Sequence, residues 1–382
     1  MRSKNLLNET LAQLADSGLL REPDDGAGRA EAVRAASARS APLIDASSND
    51  YLGLGENHVS RETLSRAGAG SSRLIHGTRA EHVALESALA DWVGTETALL
   101  FPSTYSANLG LVSSLGVDGS VIVSDAANHA SLIDGARLAK AEVRIVPHLE
   151  LNAIREVLRG AARAKGVWVL TESYFSMDGD GPDLVALRRL CDEHDAFLIV
   201  DEAHALGVFG PNGAGRCAEA GITPDAFVGA LGKAIGSHGG FVAGSEMLRR
   251  YLWNKARSFV FSTALSPAHA ANGLEQAQRA RAADDARTKL ASNVAWLRAA
   301  IRKLGLELTP GSFGPIISLR LGDNERALAA AAHLRAVGIL AQAIRPPTVP
   351  PGSARLRFTV KSTFDTNDLE RLRAAIGEAC AS

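Results

Sequence analysis

The chain has 382 residues, 46% of them hydrophobic and 22% charged, which is the balance of a globular protein and excludes a disordered or collagen-like one. Its 41 Lys+Arg against 42 Asp+Glu leave a net charge of -1, so no global field draws nucleic acid or an acidic membrane, and neither is expected as a partner. Only Cys191, Cys217 and Cys380 occur, with no CxxC spacing; that excludes a thiolate metal cage, fits a reducing compartment and leaves no metal expected.

Residues 4–20 place Leu6, Leu7, Leu11, Leu14 and Leu19 near helical spacing, which predicts a docking helix. Asn8 and Glu9 interrupt this stretch, so it lacks the apolar region of a signal peptide, no later run approaches a membrane span, and the chain reads as cytoplasmic. Pro23 to Gly28 is rich in breakers and predicts a turn. From residue 80 the pattern alternates. HVALESALADW spaces Leu85, Leu89 and Trp92 as a helix, and TALLFPS reads as a buried strand. Apolar runs follow at SVIVSD, AEVRIVPH, VWVLTES, AFLIVDEAH and AFVGAL, separated by helical stretches such as PDLVALRRLCDEH. Strands alternating with helices predict an α/β fold with a largely parallel sheet covered on both faces. Beyond residue 275 the texture changes to an α+β tail. Leu290, Val294, Leu297, Ile301 and Leu304 mark one long helix, followed by the strand PIISLRL, a helix over 324–336, the strand LRFT and a last helix with Leu369, Leu372 and Ile376. The expected division is an N-terminal helix and arm over 1–45, a large domain over 46–275 and a small C-terminal domain over 276–382.

Within this frame, GALGKAIGSHGG sets Lys233 after a strand and among Gly232, Gly236, Gly239 and Gly240. Glycines let a backbone fold tightly around a bulky group, so the lysine either serves a held cofactor or is a solvated loop residue. A P-loop is excluded, since Phe227 and Ala234 stand where that motif needs Gly and Ser/Thr. In AFLIVDEAHALGVFG, Asp201 ends an apolar strand and His204 follows three residues later. Either Asp201 caps a helix beside a surface histidine, or it pairs with a protonated ring nitrogen at the ligand-binding edge of the sheet. SSNDYLGL with Asn49, SDAANHAS with His129, TESYFSMDGD with Ser176, and RLIHGT with His76 each read equally well as turns. AIRPPTVPPGSARLRFT joins a proline-rich loop to Arg345, Arg355 and Arg357. Arg357 alternates with Leu356 and Phe358 in a strand, where a guanidinium calls for an anion.

Taken in order, SSNDYLGL, GAGSSRLIHGT, FPSTYSAN, NHAS, TESYFSMDGD, DEAHALGVFG, GALGKAIG, FSTALSP and IRPPTVPPGSARLR resemble the α-oxoamine synthases over about residues 20–380, and so many ordered motifs are more specific than any one. The resemblance implies a fold-type I pyridoxal 5′-phosphate transferase, a homodimer with shared active sites. It implies Lys233 as the Schiff-base lysine, Asp201 facing the pyridinium nitrogen, His204 at the ring hydroxyl, and His129 stacked on the ring. Ser176 is implied as a further polar contact, Thr104 and Tyr105 as the turn that holds the phosphate, and Ser262 and Thr263 as phosphate contacts from the neighbouring subunit. Arg21, Asn49, Thr348 and Arg357 match substrate positions, with Arg357 meeting the amino-acid carboxylate.

The implied activity is decarboxylative condensation of an amino acid with an acyl thioester. The loop IRPPTVP is most similar to the family member that joins L-alanine to a pimeloyl group. Three positions depart from the family pattern: Thr104 and Ser71 replace glycines, and Ala230 replaces a threonine that reaches the phosphate. Of the rival classes, another α-oxoamine synthase differs only in its acyl donor or amino acid. A non-catalytic cofactor-binding sensor predicts a helix-turn-helix module and a basic patch that are missing from this sequence. An oxidoreductase lacks GxGxxG after a strand, and a serine hydrolase lacks GxSxG.

Overall fold

The computed structural model describes residues 2–21, 26–56 and 67–381; Pro23 to Asp25 of the turn expected at Pro23 to Gly28 lie outside the described residues, and Ala27 and Gly28 already belong to a helix. Helices α1 (Arg2–Asp16) and α2 (Ala27–Ala38) precede a short strand β1 (Ile44–Asp45). Then come α3 (Ala80–Val93), β2 (Thr97–Phe101), α4 (Thr104–Leu115), β3 (Val121–Asp125), α5 (Ala130–Leu138), β4 (Glu142–Val146), α6 (Leu151–Gly160) and β5 (Val167–Glu172). The middle of the chain continues with α7 (Leu184–Glu193), β6 (Phe197–Asp201), α8 (Arg216–Glu219), β7 (Ala226–Ala230), β8 (Gly240–Gly244), α9 (Glu246–Lys255), α10 (Arg257–Val260) and α11 (Pro267–Arg281). The remainder is α12 (Asp284–Lys303), β9 (Ile316–Gly322), α13 (Asn324–Ala336), β10 (Ile339–Leu340), β11 (Gln342–Ile344), β12 (Ala354–Thr359) and α14 (Thr366–Ala381).

Two compact units result: one of residues 49–176 and 180–289, the other of 1–48, 177–179 and 290–382. The first holds a seven-stranded sheet in the order β2-β8-β7-β6-β5-β3-β4. Its neighbours are parallel except around β8, which runs antiparallel to both β2 and β7. The run FVAG was not read as a strand from its sequence; it pairs because a loop too short for a crossover turns the chain straight back from β7. One apolar cluster, with Leu111, Ile122, Ile199 and Phe259, joins residues of α4, α5, α9 and α10 to residues of the sheet. Another, with Val123, Leu187, Leu198 and Val200, includes residues of α6 and α7. AEVRIVPH departs from the buried-run expectation. β4 is an edge strand, and Glu142, Val143, Arg144 and Ile145 are exposed; its alternation of charged and apolar residues is the signature of such an edge.

The second unit has the antiparallel sheet β11-β12-β9 and the parallel pair β1-β10. Leu297, Ile301, Leu356, Phe358, Leu372 and Ile376 are buried there. The long helix ends at Lys303, so Leu304 escapes its apolar stripe and is 36% exposed. Leu6, Leu7 and Leu11 of α1 are also exposed, so the apolar face read as docking is open in this chain.

A buried ion pair fastens the glycine-rich segment to the large sheet. Arg73 Nη1 and Nη2 donate to the two oxygens of Glu86 at 2.8 and 3.1 Å, and Glu86 Oε1 also accepts the Leu100 amide at 2.9 Å. The guanidinium lies over the rings of Trp253 and Phe259. Removing one member of such a pair strands the other in low dielectric, at a cost of about 3–5 kcal/mol. Glu86→Ala should therefore lower stability by about that amount in urea titrations followed by tryptophan fluorescence. A loss below about 1 kcal/mol, the value of a surface pair, would refute the assignment.

Candidate functional site

In a doubly wound sheet, ligands gather at the carboxyl ends of the strands. Asp201 ends β6, the middle strand of the seven, and is 5% exposed. Its Oδ2 accepts from Asn108 Nδ2 at 2.6 Å and its Oδ1 from the Ala203 amide at 2.8 Å. The local turn role and the buried-acid role therefore coexist. His204 is no surface histidine: it is 6% exposed, with Nδ1 at 2.7 Å from the hydroxyl of the fully buried Tyr51. That hydroxyl also lies 3.5 Å from Asn49 Oδ1.

Asn108, on α4, donates as well to Ser131 Oγ at 2.9 Å, and Ser131 Oγ lies 2.8 Å from His129 Nδ1. His129 caps α5 by accepting the Ser131 amide at Nδ1, which leaves the ring proton on Nε2. Desolvation lowers its pKa, the Lys233 charge adds to this, and the Asp201 charge opposes it. Its backbone amide donates to Glu172 Oε1 at 2.7 Å. Glu172, at the end of β5, also accepts the amide of Ser176, which is 8% exposed.

Lys233 stands half-buried in the loop from β7 to β8. Hydrogen bonds from the Leu231 amide to Gly239 O (3.0 Å) and from the Ser237 amide to Leu231 O (2.8 Å) close this loop. Gly236 is required: its φ is +70°, and a Cβ there would lie 2.5 Å from the Gly55 amide nitrogen. The Lys233 charge acts on both Glu172 and His129. One lysine, two buried carboxyls and two histidines thus share a single neighbourhood, a constellation suited to binding a charged ring and moving protons.

Thr104 and Tyr105 open α4, where a helix leaves N–H groups without intrahelical acceptors and favours anions. Ser103 caps this helix through the Ser106 amide. A Cβ on Gly240 would come 2.4 Å from the Thr104 nitrogen, so glycine there lets β8 start against the helix. Of the three departures, Thr104 turns its hydroxyl toward Gly229 O at 3.5 Å, and Ala230, the last residue of β7, is 4% exposed. Ser71 does what glycine could not: its hydroxyl accepts the His76 amide at 3.0 Å and shapes the wide helical turn Arg73–Gly77.

Ser262 and Thr263 stand in the loop after α10, which the Ala264 amide ties to Ser71 O at 3.1 Å. Of the four substrate positions, Asn49 belongs to the first unit and Arg21, Thr348 and Arg357 to the second. Arg21 Nη2 donates to Thr348 Oγ1 at 3.1 Å, joining two of them, and Arg345 donates to Gly18 O at 2.7 Å. Arg357 is 3% exposed in β12, in register with Ser318 of β9 and Gln342 of β11. Asn108, Ser131, Tyr51 and Glu172 were not singled out from the sequence. The clearest available signal was Glu172, which ends VWVLTE as Asp201 ends FLIVD.

Comparison with known proteins places the chain among relatives of similar length. Residues 41–376 match the family Aminotransferase class I and II. The chain is 40% identical to the 8-amino-7-oxononanoate synthase of Alkalilimnicola ehrlichii, with 98% of this chain and 97% of that protein covered. It is 39% identical to the enzyme of the same name from Marinobacter nauticus, covering 97% and 95%. Among solved structures, the serine palmitoyltransferase of Sphingomonas wittichii superposes with a TM-score of 0.84 at 31% identity over 88% of this chain and 87% of that one. The 8-amino-7-oxononanoate synthase of Francisella tularensis does so with 0.77 at 29% identity, over 88% and 97%.

The loop that carries Ser176 is braced from below by His148. Its Nδ1 lies 2.8 Å from Asp125 Oδ1, its Nε2 lies 3.2 Å from Asp180 Oδ2, and its ring meets Phe175 edge-on. Burial alone would lower the His148 pKa, but the hydrogen bonds and charges of the two aspartates outweigh it and raise it to about 10. The folded protein therefore holds this proton to higher pH than the unfolded chain, whose histidine loses it near 6.5. It follows that the brace is fully stabilising below pH 6.5 and fades as pH rises through about 10. Urea midpoints of the parent and of His148→Gln should converge across that window, and a constant gap between them would contradict this.

Proposed function

The chain belongs to the α-oxoamine synthase family of pyridoxal 5′-phosphate enzymes, within Aminotransferase class I and II, and on that premise we propose that it condenses L-alanine with a pimeloyl thioester, releasing 8-amino-7-oxononanoate, CO2 and the free thiol. The observation that carries this reading is near-full-length similarity to proteins of that name at 39–40% identity.

The described residues fit the cofactor by the chemistry of their donor set: a buried carboxylate already oriented by two donors, a lysine whose charge acts on the neighbouring Glu172 and His129, and a helix N-terminus. In this proposal Lys233 holds the cofactor through Nζ, Asp201 faces its ring nitrogen, and His129 and His204 contact the ring. Thr104, Tyr105, Ser176, Ser262 and Thr263 supply polar contacts, the last two across a homodimer. When bound, pyridoxal phosphate supplies the electron sink that the reaction needs at the amino acid's Cα.

The rest falls to the protein. Asp201, oriented by Asn108 and the Ala203 amide, would face the ring nitrogen and hold its proton. Lys233 Nζ, when not covalently engaged, accepts the Cα proton. His129, with its proton on Nε2, orients the acyl carbonyl. Arg357 takes the amino-acid carboxylate, and Arg21, Asn49 and Thr348 meet the rest of the substrate. The likeness to a serine palmitoyltransferase favours a second reading, condensation of another amino acid with a different acyl donor. Mass spectrometry of products from L-alanine, glycine or L-serine with a panel of acyl thioesters separates the two.

Borohydride treatment followed by peptide mapping should find the cofactor fixed on the peptide that contains Lys233; attachment to a different lysine would overturn that role. For Arg357, losing one member of a buried charge pair costs about 2–5 kcal/mol, so Arg357→Ala should reduce kcat/KM for L-alanine by more than about thirtyfold. Arg357→Lys should rescue it only in part, because a point charge cannot reproduce a bidentate fork. Steady-state kinetics with each substrate varied checks this, and a loss confined to the thioester would count against it.

A further inference from the structure

We propose that Glu172 is a positioning residue, a single buried carboxyl that ties the main chains carrying His129 and Ser176 to the end of β5. The proposal rests on the functional reading above for the importance of those two residues, and on geometry for the tie itself. Glu172 is 3% exposed and stands in register with Asp201, as the last pair of two parallel neighbours. Adjacent strands lie about 4.8 Å apart and register partners point to the same face. The fold therefore sets two carboxyls side by side where water is excluded. Such an arrangement is costly unless it does something an apolar residue could not.

What Glu172 does is accept. Its Oε1 takes the His129 amide at 2.7 Å, and the carboxyl takes the Ser176 amide as well. Those amides lie on different segments, the turn before α5 and the loop after β5. One side chain thus fixes the chain entering the α5 cap and the loop that holds Ser176. The same device recurs one strand away. Glu202, 0% exposed, accepts the Arg216 and Cys217 amides at 2.9 and 2.6 Å and the Ser173 hydroxyl at 2.8 Å.

Two neighbouring carboxyls do not both ionise readily. Burial, and then the Asp201 charge, push the Glu172 pKa up to about 8, against the pull of the Lys233 charge. Near neutral pH Glu172 therefore tends to hold its proton. A neutral acceptor of the same shape should then suffice.

That gives a test by conservative rescue, made on the full chain. Glu172→Gln keeps the acceptor, Glu172→Leu removes it, and Glu172→Asp keeps a carboxyl too short to reach the amides. Hydrogen–deuterium exchange of the peptides spanning His129 and Ser176 should rise in the Leu and Asp variants and stay near the parent in Gln. Added pyridoxal phosphate should bind about tenfold or more weakly to Leu and Asp, equivalent to about one lost hydrogen bond, and within about threefold of the parent to Gln. If Leu fails to fold, Gln against Asp decides the matter. Unchanged exchange in a folded Leu or Asp variant would overturn the proposal, as would a Gln variant as impaired as Asp. Exchange without cofactor tests the tie alone. Failure of the parent to bind the cofactor would fault the functional reading while leaving the exchange result standing.

Discussion

A carboxylate buried at the end of the middle strand is the constraint around which this site is built. Asp201 is held by Asn108 from α4 and by its own following turn, so both oxygens have partners before any ligand arrives. That preorganisation matters because burying a carboxylate without donors is costly. Asn108 sits mid-helix, where asparagine is a poor helix former; its place is explained by what it reaches. Through Ser131 the same amide group connects to His129, so Asp201 and His129 are set by one network.

The parallel sheet creates this problem more than once. β3, β5 and β6 all end in an acid, Asp125, Glu172 and Asp201, and each is answered differently. Asp125 meets His148 and the amides of Ala127 and Leu149. Glu172 takes backbone amides, and Asp201 takes Asn108. Asp125 and Glu172 are thereby committed to the protein's own structure, and Asp201 is the acid that the proposed function assigns to the cofactor.

Much of the frame was legible in the sequence because strand and helix periods are local properties. Lys233, Asp201 and the strand of Arg357 were found from runs of neighbouring residues. The antiparallel strand Gly240–Gly244 was not, since two of its five residues are glycines and its partner is set by loop geometry. Asn108, Ser131 and Tyr51 escaped because their roles rest on contacts between distant segments: Tyr51 meets His204 across 153 positions. Arg21 and Thr348 are joined across 327 positions, so a pair that is one feature in space was read as two unrelated candidates.

The same division explains why the reaction class is firmer than the substrate. A shared fold does not sort substrates, because selectivity lives in a few side chains set on it. In the proposed roles, Lys233, Asp201, His129 and His204 would serve any condensation that passes charge into the ring, so they do not tell an alanine and pimeloyl enzyme from a serine and palmitoyl one. Arg357 in its proposed role would be equally indifferent, as every amino acid offers the same carboxylate. What would remain to distinguish acyl chains are positions that the proposal assigns to neither ring nor carboxylate. Among the substrate candidates of the second unit, these are Arg21 and Thr348, fixed to each other and flanked by the bond from Arg345 to Gly18. Their hydrogen bond ties the N-terminal arm to the proline loop. The loop motif is also what first singled out one member of the family, so the sequence signal and the structural one converge on the same few residues.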